Sequence, residues 1–212
     1  MTDKKTLIII GAGGHGKVAA DCASETKQFE TIQFLDGKFP ELQQVESWKV
    51  VGHQDNFASF DSENAWFFVA IGNNAIRHQK QQMLLKGGQK IATLIHPNAC
   101  IAKDVNIGNG SLILAGVVVN IAADIGAGCI INTGATVDHD CQLGQFSHVA
   151  PGVNLAGAVT LGCEVFIGIG SAVIPCLSIG DKSIVGAGSV VLADLPEHVT
   201  AVGSPAKVIK RS

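Results

Sequence analysis

From Ile95 onward the apolar positions recur with a period of six. Ile95, Ile101, Ile107, Ile113, Val119, Ile125, Ile131, Val137, Leu143, Val149, Leu155, Leu161, Ile167, Val173, Ile179, Val185 and Val191 are all aliphatic. Four places on, the side chain is nearly always small or slim, as in Ala123, Cys129, Ala135, Cys141, Ser147 and Ser171. Neither helical nor alternating-strand periodicity gives such a series. Short strands stacked between turns in a parallel β-helix do. A second period overlies the first: Gly108, Gly126, Gly144, Gly162 and Gly180 recur every 18 residues. Three hexapeptides therefore make one coil of a triangular prism, with one corner carrying glycine for unusual φ or close backbone approach. At roughly 4.8 Å per coil, nearly six coils predict a prism about 25–30 Å long. The register runs unbroken to about Leu195, so no long inserted loop shapes a pocket. Flat, weakly charged faces predict an oligomer.

The first 90 residues follow another pattern. Thr6 to Ile10 reads as a buried strand, followed by a glycine turn and a helix over Val18 to Ser24. A second strand, Thr31 to Leu35, ends at Asp36. A third, Ala65 to Ile71, ends at Gly72-Asn73-Asn74 and leads into a helix from about Ala75 to Leu85. Strand–helix alternation predicts a small parallel sheet, half of a Rossmann-type α/β fold, with helices on its faces. Two domains are expected: residues 1–90, α/β, and residues 91–212, the β-helix with a short tail. Gly11, Gly13 and Gly16 satisfy G-x-G-x-x-G between strand and helix, with an acid about 20 residues later. A phosphate could sit on that helix N-terminus, although a tight strand-to-helix turn gives the same motif. A full dinucleotide fold needs more than the residues preceding the repeat. A nucleotide-diphosphate sugar fits the half-fold better than NAD.

Composition narrows the choice. The chain has 212 residues, 47% hydrophobic and 16% charged, with a formal net charge of −3. With no Lys/Arg cluster, this argues against an electrostatic nucleic-acid binder. Nine of the eleven aromatic residues fall in the first 70 positions, as a narrow prism interior without room for rings requires. Six cysteines include no C-x-x-C pair, so metal-clip spacing is absent. The apolar run from Leu7 to Ile10 is too short for a signal peptide or a membrane span. A cytoplasmic chain with free thiols is the expectation.

The chemistry concentrates at Val137-Asp138-His139-Asp140-Cys141. His139 lies two residues after an inward aliphatic position, so it should point outward at a coil turn, flanked by two carboxylates. An imidazole titrating near neutrality suits a general base; the competing reading is a solvated corner. His148, nine residues on, is half a coil away and should face the opposite side of the prism, so the two can share a site only across subunits. Asn132 could orient an acceptor or serve its own corner. Cys141 could be a nucleophile, but it occupies the small inward slot, which favours direct transfer. His15 either contacts a nucleotide or shapes the glycine turn. His53, His78, His96 and His198 read as surface or boundary residues. Backbone N–H groups, Gly157 among them, are the candidate oxyanion donors.

The combination of Gly11-Ala12-Gly13-Gly14-His15-Gly16, Phe34-Leu35-Asp36, Ala70-Ile71-Gly72-Asn73-Asn74, the Asp138-His139-Asp140 run and Phe146-Ser147-His148-Val149 resembles the NeuD/PglD-type sugar acyltransferases. Within them it is similar to the bacillosamine-pathway UDP-4-amino-sugar N-acetyltransferases. The resemblance covers essentially the whole chain. It implies a left-handed coil and acetyl-CoA-dependent N-acetylation of the 4-amino group of a UDP-4-amino-4,6-dideoxy-sugar, with His139 as base. Asp140 would raise its basicity, where the family more often has Glu. Gly14, His15, Asp36, Gly37, Ile71 and Gly72 match positions that hold the UDP-sugar. His148, Gly157, Ile169 and Ala187 match positions lining acetyl-CoA. Val202 to Lys207 looks like the family's tail. A homotrimer with sites between subunits and no metal is implied. Two rivals remain: an O-acetyltransferase for sialic acid or another sugar, and a non-catalytic hexapeptide protein. A metal-binding form of the latter would need several converging histidines, and the central coils offer only His139 and His148.

Overall fold

The computed structural model describes residues 5–60 and 63–211. The chain forms two compact units, Met1–Pro97 and Asn98–Ser212.

The first unit is built on a six-stranded sheet. β1 (Thr6–Ile10) leads into α1 (Gly14–Thr26), followed by β2 (Thr31–Leu35), β3 (Gln44–Val45) and β4 (Trp48–Gly52). After a single 3-10 turn at Asn56–Ser59 come β5 (Ala65–Val69), α2 (Asn74–Lys86) and β6 (Lys90–Ile91). The sheet order is β3-β4-β2-β1-β5-β6. All neighbours are parallel except the β3–β4 hairpin. β1 takes a central place because Leu7, Ile8, Ile9 and Ile10 are all buried, as a strand covered on both faces must be.

Three features depart from expectation. The sheet is wider than three strands, because β4 joins β2 without an intervening helix. Its Trp48-Lys49-Val50-Val51-Gly52 run mixes charge and glycine and carries no clear period. α1 begins at Gly14 rather than Val18, so half of the glycine motif is helix. A side chain at Gly16 would run into the Gly11 carbonyl oxygen, so glycine is what lets α1 start so close to the end of β1. The third strand ends at Val69, leaving Ala70 to Asn73 as a turn.

The second unit is a left-handed parallel β-helix of three sheets. The first face holds the strands Leu112–Ile113, Ile130–Ile131, His148–Val149, Phe166–Ile167 and Ile184–Val185. The second holds Val118–Val119, Thr136–Val137, Asn154–Leu155 and Ala172–Val173. The third holds Asp124–Ile125, Gln142–Leu143 and Thr160–Leu161, among others. Successive strands of a face pair 18 residues apart, as Val119 does with Val137, until Ile184 and Val185 pair with Thr200 and Ala201. The second residue of each two-residue strand points inward and forms the core with the slim residues Val117, Ala123, Ala135, Val153 and Val159. Polar members of the slim slot are satisfied inside: Ser111, Ser147 and Ser171 donate to the carbonyls of Gly126, Gly162 and Gly186 at 2.8–2.9 Å.

The glycine column has one of the two causes allowed for it. Side chains at Gly108, Gly126, Gly144, Gly162 and Gly180 would collide with the next coil, mostly with its backbone, so close approach is the reason. Positive φ belongs to a different position, three residues after each inward aliphatic: Gly116, Gly134, Gly152, Gly170 and Gly188 at one corner, Ala122, Asp140, Ala158 and Cys176 at the next. Among the described residues, no helix is long and apolar enough to cross a membrane.

Candidate active site

The corner between the second and third faces carries His139. The strand Thr136–Val137 ends there and Gln142–Leu143 begins three residues beyond it. The turn needs a left-handed residue, and Asp140 supplies it at φ 61; a short polar side chain tolerates that region better than most. The Asp140 N–H donates to the Ile121 carbonyl one coil back (3.2 Å), and the His139 carbonyl accepts from Ala158 one coil forward (2.8 Å). The backbone on either side of the imidazole is thereby fixed.

On this frame Asp140 Oδ2 lies 2.7 Å from His139 Nδ1. Asp138 plays a second part. Its Oδ1 accepts the His139 N–H at 2.8 Å and the Asn120 side-chain amide at 2.7 Å. The hydrogen bond with Asp140, and then the charge of Asp138, raise the pKa of His139 above its ordinary value. The Asn120 hydrogen bond, ahead of that from His139 N–H, lowers that of Asp138. Both members of the His139–Asp140 pair are exposed, at 56% and 62% of the side chain, so substrate can reach them directly. Gly157 sits one coil along the same corner. A Cβ there would lie 2.5 Å from His139 Nε2 and 2.6 Å from its Cε1, so the missing side chain is what leaves room for the ring. Cys141 is fully buried, with its thiol donating to the Ala156 carbonyl at 3.2 Å and its pKa raised chiefly by burial. Both features are those of an inert packing residue.

The first face and its corner with the second hold another group. His148 is 8% exposed, with Phe166 edge-on to its ring at 5.2 Å and Asn132 Nδ2 3.3 Å from its Nε2. Asn132 Oδ1 also takes the Thr133 N–H at 2.9 Å. The structure therefore brings Asn132 to His148 rather than to His139. Ile169, 56% exposed, and Ala187 occupy successive coils of this corner, linked by the Gly188 N–H to the Ile169 carbonyl. In a triangular coil the corner between the second and third faces lies opposite the first face. His139 with Gly157, and Asn132 with His148, are thus two separate clusters of one prism.

In the first unit, the remaining candidates gather at the carboxyl ends of the neighbouring strands β2, β1 and β5, where open parallel sheets bind ligands. Asp36 closes onto the glycine turn: its Oδ2 accepts the Ala12 N–H at 2.7 Å and its Oδ1 the Lys38 N–H at 2.9 Å, with Gly37 between them. Gly14 and His15 begin α1. Burial, and then the charge of Arg77, push the pKa of His15 down to about 4. Ile71 and Gly72 form the turn after β5, and their carbonyls accept from Arg77 Nη1 at 3.0 and 3.3 Å. Arg77 Nη2 donates to Asn74 Oδ1 at 2.9 Å, and the whole side chain is buried.

Sequence reasoning missed Arg77, Asn120 and the part played by Asp138 in holding the His139 turn. A lone arginine on a helix normally reads as solvent-facing. The available signal was its spacing: Arg77, Gln81 and Leu84 are the buried residues of α2, and they fall on one helical stripe. Among the described residues, no group of three or more His, Cys, Asp or Glu side chains is placed to hold a metal ion.

A hexapeptide coil bearing an outward Asp–His–Asp corner, together with a small parallel sheet whose glycine turn is closed by an acid, defines a sugar acyltransferase of the PglD/NeuD type, and the chain belongs to that family. Residues 6–84 match the family described as the PglD N-terminal domain. The chain is 38% identical to the acetyltransferase domain of PglB from Neisseria gonorrhoeae, with a TM-score of 0.93 over 97% of this chain and 100% of that one. The same domain has been solved in complex with acetyl coenzyme A. PerB from Caulobacter crescentus, solved with CoA and GDP-perosamine, is also 38% identical, with a TM-score of 0.91 over 97% of each chain. The UDP-N-acetylbacillosamine N-acetyltransferase of Bacillus subtilis is 39% identical over 116 residues, 52% of each chain. The match thus spans about half the length of that curated relative.

Proposed function

We propose that the chain is an acetyl-CoA-dependent N-acetyltransferase acting on the 4-amino group of a UDP-4-amino-4,6-dideoxy-sugar, as in UDP-N,N'-diacetylbacillosamine synthesis. The observation that carries this reading is the His139–Asp140 pair, 2.7 Å apart at an exposed corner, with Gly157 leaving the Nε2 side of the ring open. With Nδ1–H donated to Asp140, Nε2 keeps its lone pair and can take a proton. The sugar amine attacks the thioester carbonyl, a C–N bond forms, and His139 Nε2 removes the amine proton. Collapse of the tetrahedral intermediate breaks the C–S bond, and the proton passes to the departing CoA thiolate.

The intermediate's oxyanion needs donors. At His139 the N–H is consumed by Asp138. At Gly157 the preceding residue is Ala156, which offers no side-chain acceptor, and its N–H is the donor we assign. Gly14, His15, Asp36, Gly37, Ile71 and Gly72 hold the nucleotide-sugar. Similarity to a domain solved with acetyl coenzyme A supports the donor, and PerB, solved with CoA and GDP-perosamine, supports a nucleotide-linked acceptor.

His148, with Asn132, Ile169 and Ala187, serves acetyl-CoA bound at the His139 of a neighbouring copy in a homotrimer. Separately inactive His139→Ala and His148→Ala chains, co-assembled, then regain activity through the sites that combine both intact histidines; a mixture as inactive as its components contradicts shared sites. The assignment as a whole is tested by CoA thiol release from acetyl-CoA with UDP-4-amino-4,6-dideoxy-N-acetylglucosamine, GDP-perosamine, sialic acid or no acceptor. Release with the UDP-amino sugar alone is expected. Release with GDP-perosamine alone changes the nucleotide, release with sialic acid alone makes the enzyme an O-acetyltransferase, and silence with all three contradicts the reading.

A further inference from the structure

We propose that Arg77 is a positioning residue for the nucleotide-sugar acceptor, its guanidinium holding the Ile71–Gly72 turn in the shape that lines the acceptor site. This rests on the reading of the first unit as the acceptor's binding unit. Burying a guanidinium completely is costly unless its donors are met. Here the planar fork spans two successive carbonyls, of Ile71 and Gly72, and the side-chain oxygen of Asn74. A lysine ammonium, with one donor centre, could not hold both the turn and the helix start together. The arginine thus ties the turn after β5 to the first residue of α2, while Asn73 Oδ1 caps that helix by accepting the Ile76 N–H at 3.0 Å.

The clamp bears on the glycine turn as well. A Cβ on Gly11 would sit 3.0 Å from the Ala70 carbonyl oxygen and 3.4 Å from Ile71 Cγ1, so the turns after β1 and β5 are in contact, and a shift in one moves the other. Arg77 also sets the charge of this edge. Its positive charge adds to burial in keeping His15 neutral, and the helix N-terminus on which His15 stands acts in the same direction. The acceptor therefore meets a neutral imidazole, able to donate or accept one hydrogen bond, beside a fixed buried cation. That suits a group carrying both a diphosphate and neutral sugar hydroxyls.

The test uses the full chain. UDP and GDP binding to the wild-type protein is measured first by calorimetry; failure of both sinks the nucleotide-sugar reading without touching the clamp. Arg77→Lys keeps the charge and loses the fork. The expected result is an acceptor KM raised on the order of tenfold, with kcat and the acetyl-CoA KM within about twofold of wild type. Arg77→Met also removes the charge, and the His15 ring-proton NMR titration should then move to higher pH. Asn74→Ala, which removes the guanidinium's partner at the helix start, should raise the acceptor KM by a smaller factor and serves if either arginine variant fails to fold. A merely structural role would lower the amount of folded protein and leave these parameters together. An unchanged acceptor KM in folded Arg77→Lys, or in Asn74→Ala should the arginine variants not fold, overturns the proposal, as does an unmoved His15 titration in folded Arg77→Met.

Discussion

The two units each carry a histidine at the start or turn of an element, and their surroundings drive protonation in opposite directions. His15 enters the first turn of α1, is largely withdrawn from water and lies near the buried Arg77, so its pKa falls to about 4. His139 stands in water between two carboxylates, and its pKa rises. One is fixed as a neutral hydrogen-bonding group across the physiological range; the other is drawn toward its protonated form by the carboxylates beside it. Exposure separates them further. His15 couples to the stability of its unit, whereas His139 is bound to the coil through its backbone and leaves the ring free for chemistry. In the roles we propose, the same residue type serves recognition in one place and proton transfer in the other because burial and neighbouring charge differ, not because of anything in the side chain.

Breaking the catalytic half of this contrast should have the largest effect. His139→Ala is expected to lower kcat about 10²–10⁴-fold, the usual range for a lost general base, while circular dichroism and thermal unfolding stay near wild type, since the imidazole packs against no core. Near-normal turnover would remove His139 from the chemistry. Gly157→Ala probes the space beside the ring. Its Cβ would meet His139 Nε2 at 2.5 Å, so the imidazole must swing off Asp140, and a fall in kcat on the order of tenfold is expected with the acceptor KM little changed. Unaltered kinetics would mean that the ring has room to spare. The smallest effect belongs to His15 and concerns stability. Above about pH 6.5 His15 is neutral in both states and costs nothing. As pH falls from there toward 4, the unfolded chain takes up a proton that the folded chain refuses. Stability is therefore lost across that window, by up to roughly 3 kcal/mol. Urea unfolding of wild type and His15→Gln at both ends of the window should show a smaller acid loss in the variant; parallel losses would contradict the buried neutral state.

How much of this was legible follows from how repetitive each part is. In the coil, every sixth position from Ile95 to Val191 is aliphatic, so the strands, the outward direction of His139 and the inward slot of Cys141 could be read from spacing alone. The opposition of His139 and His148 followed from nine residues being half of 18. What spacing could not give was contact between coils. Asn120 reaching Asp138, and Gly157 lying beside the imidazole, depend on stacking of residues 18 apart whose side chains carry no pattern. Spacing leaves Asn132 as an orienter of the acceptor or a residue of its own corner, whereas stacking puts it beside His148. In the first unit β1, β2 and the glycine turn were clear from their apolar runs and glycine spacing. β3, β4 and β6 were not, being short or chemically mixed and stabilised only by pairing with neighbours. Arg77 escaped because one buried charge on a helix looks like any exposed charge until its partners are known.

Asp140 tuning His139 is the central feature of the proposed chemistry. Its test is the dependence of kcat/KM on pH for the wild type and for Asp140→Asn, with saturating acetyl-CoA and the UDP-4-amino sugar varied. The wild-type rate should fall on the acid side as His139 becomes protonated. Because the hydrogen bond His139 donates to Asp140 is the largest cause of the raised pKa, that limb should move to lower pH in the variant while the plateau drops. A limb in the same place in both proteins, or no acid limb in the wild type, would contradict His139 as the base.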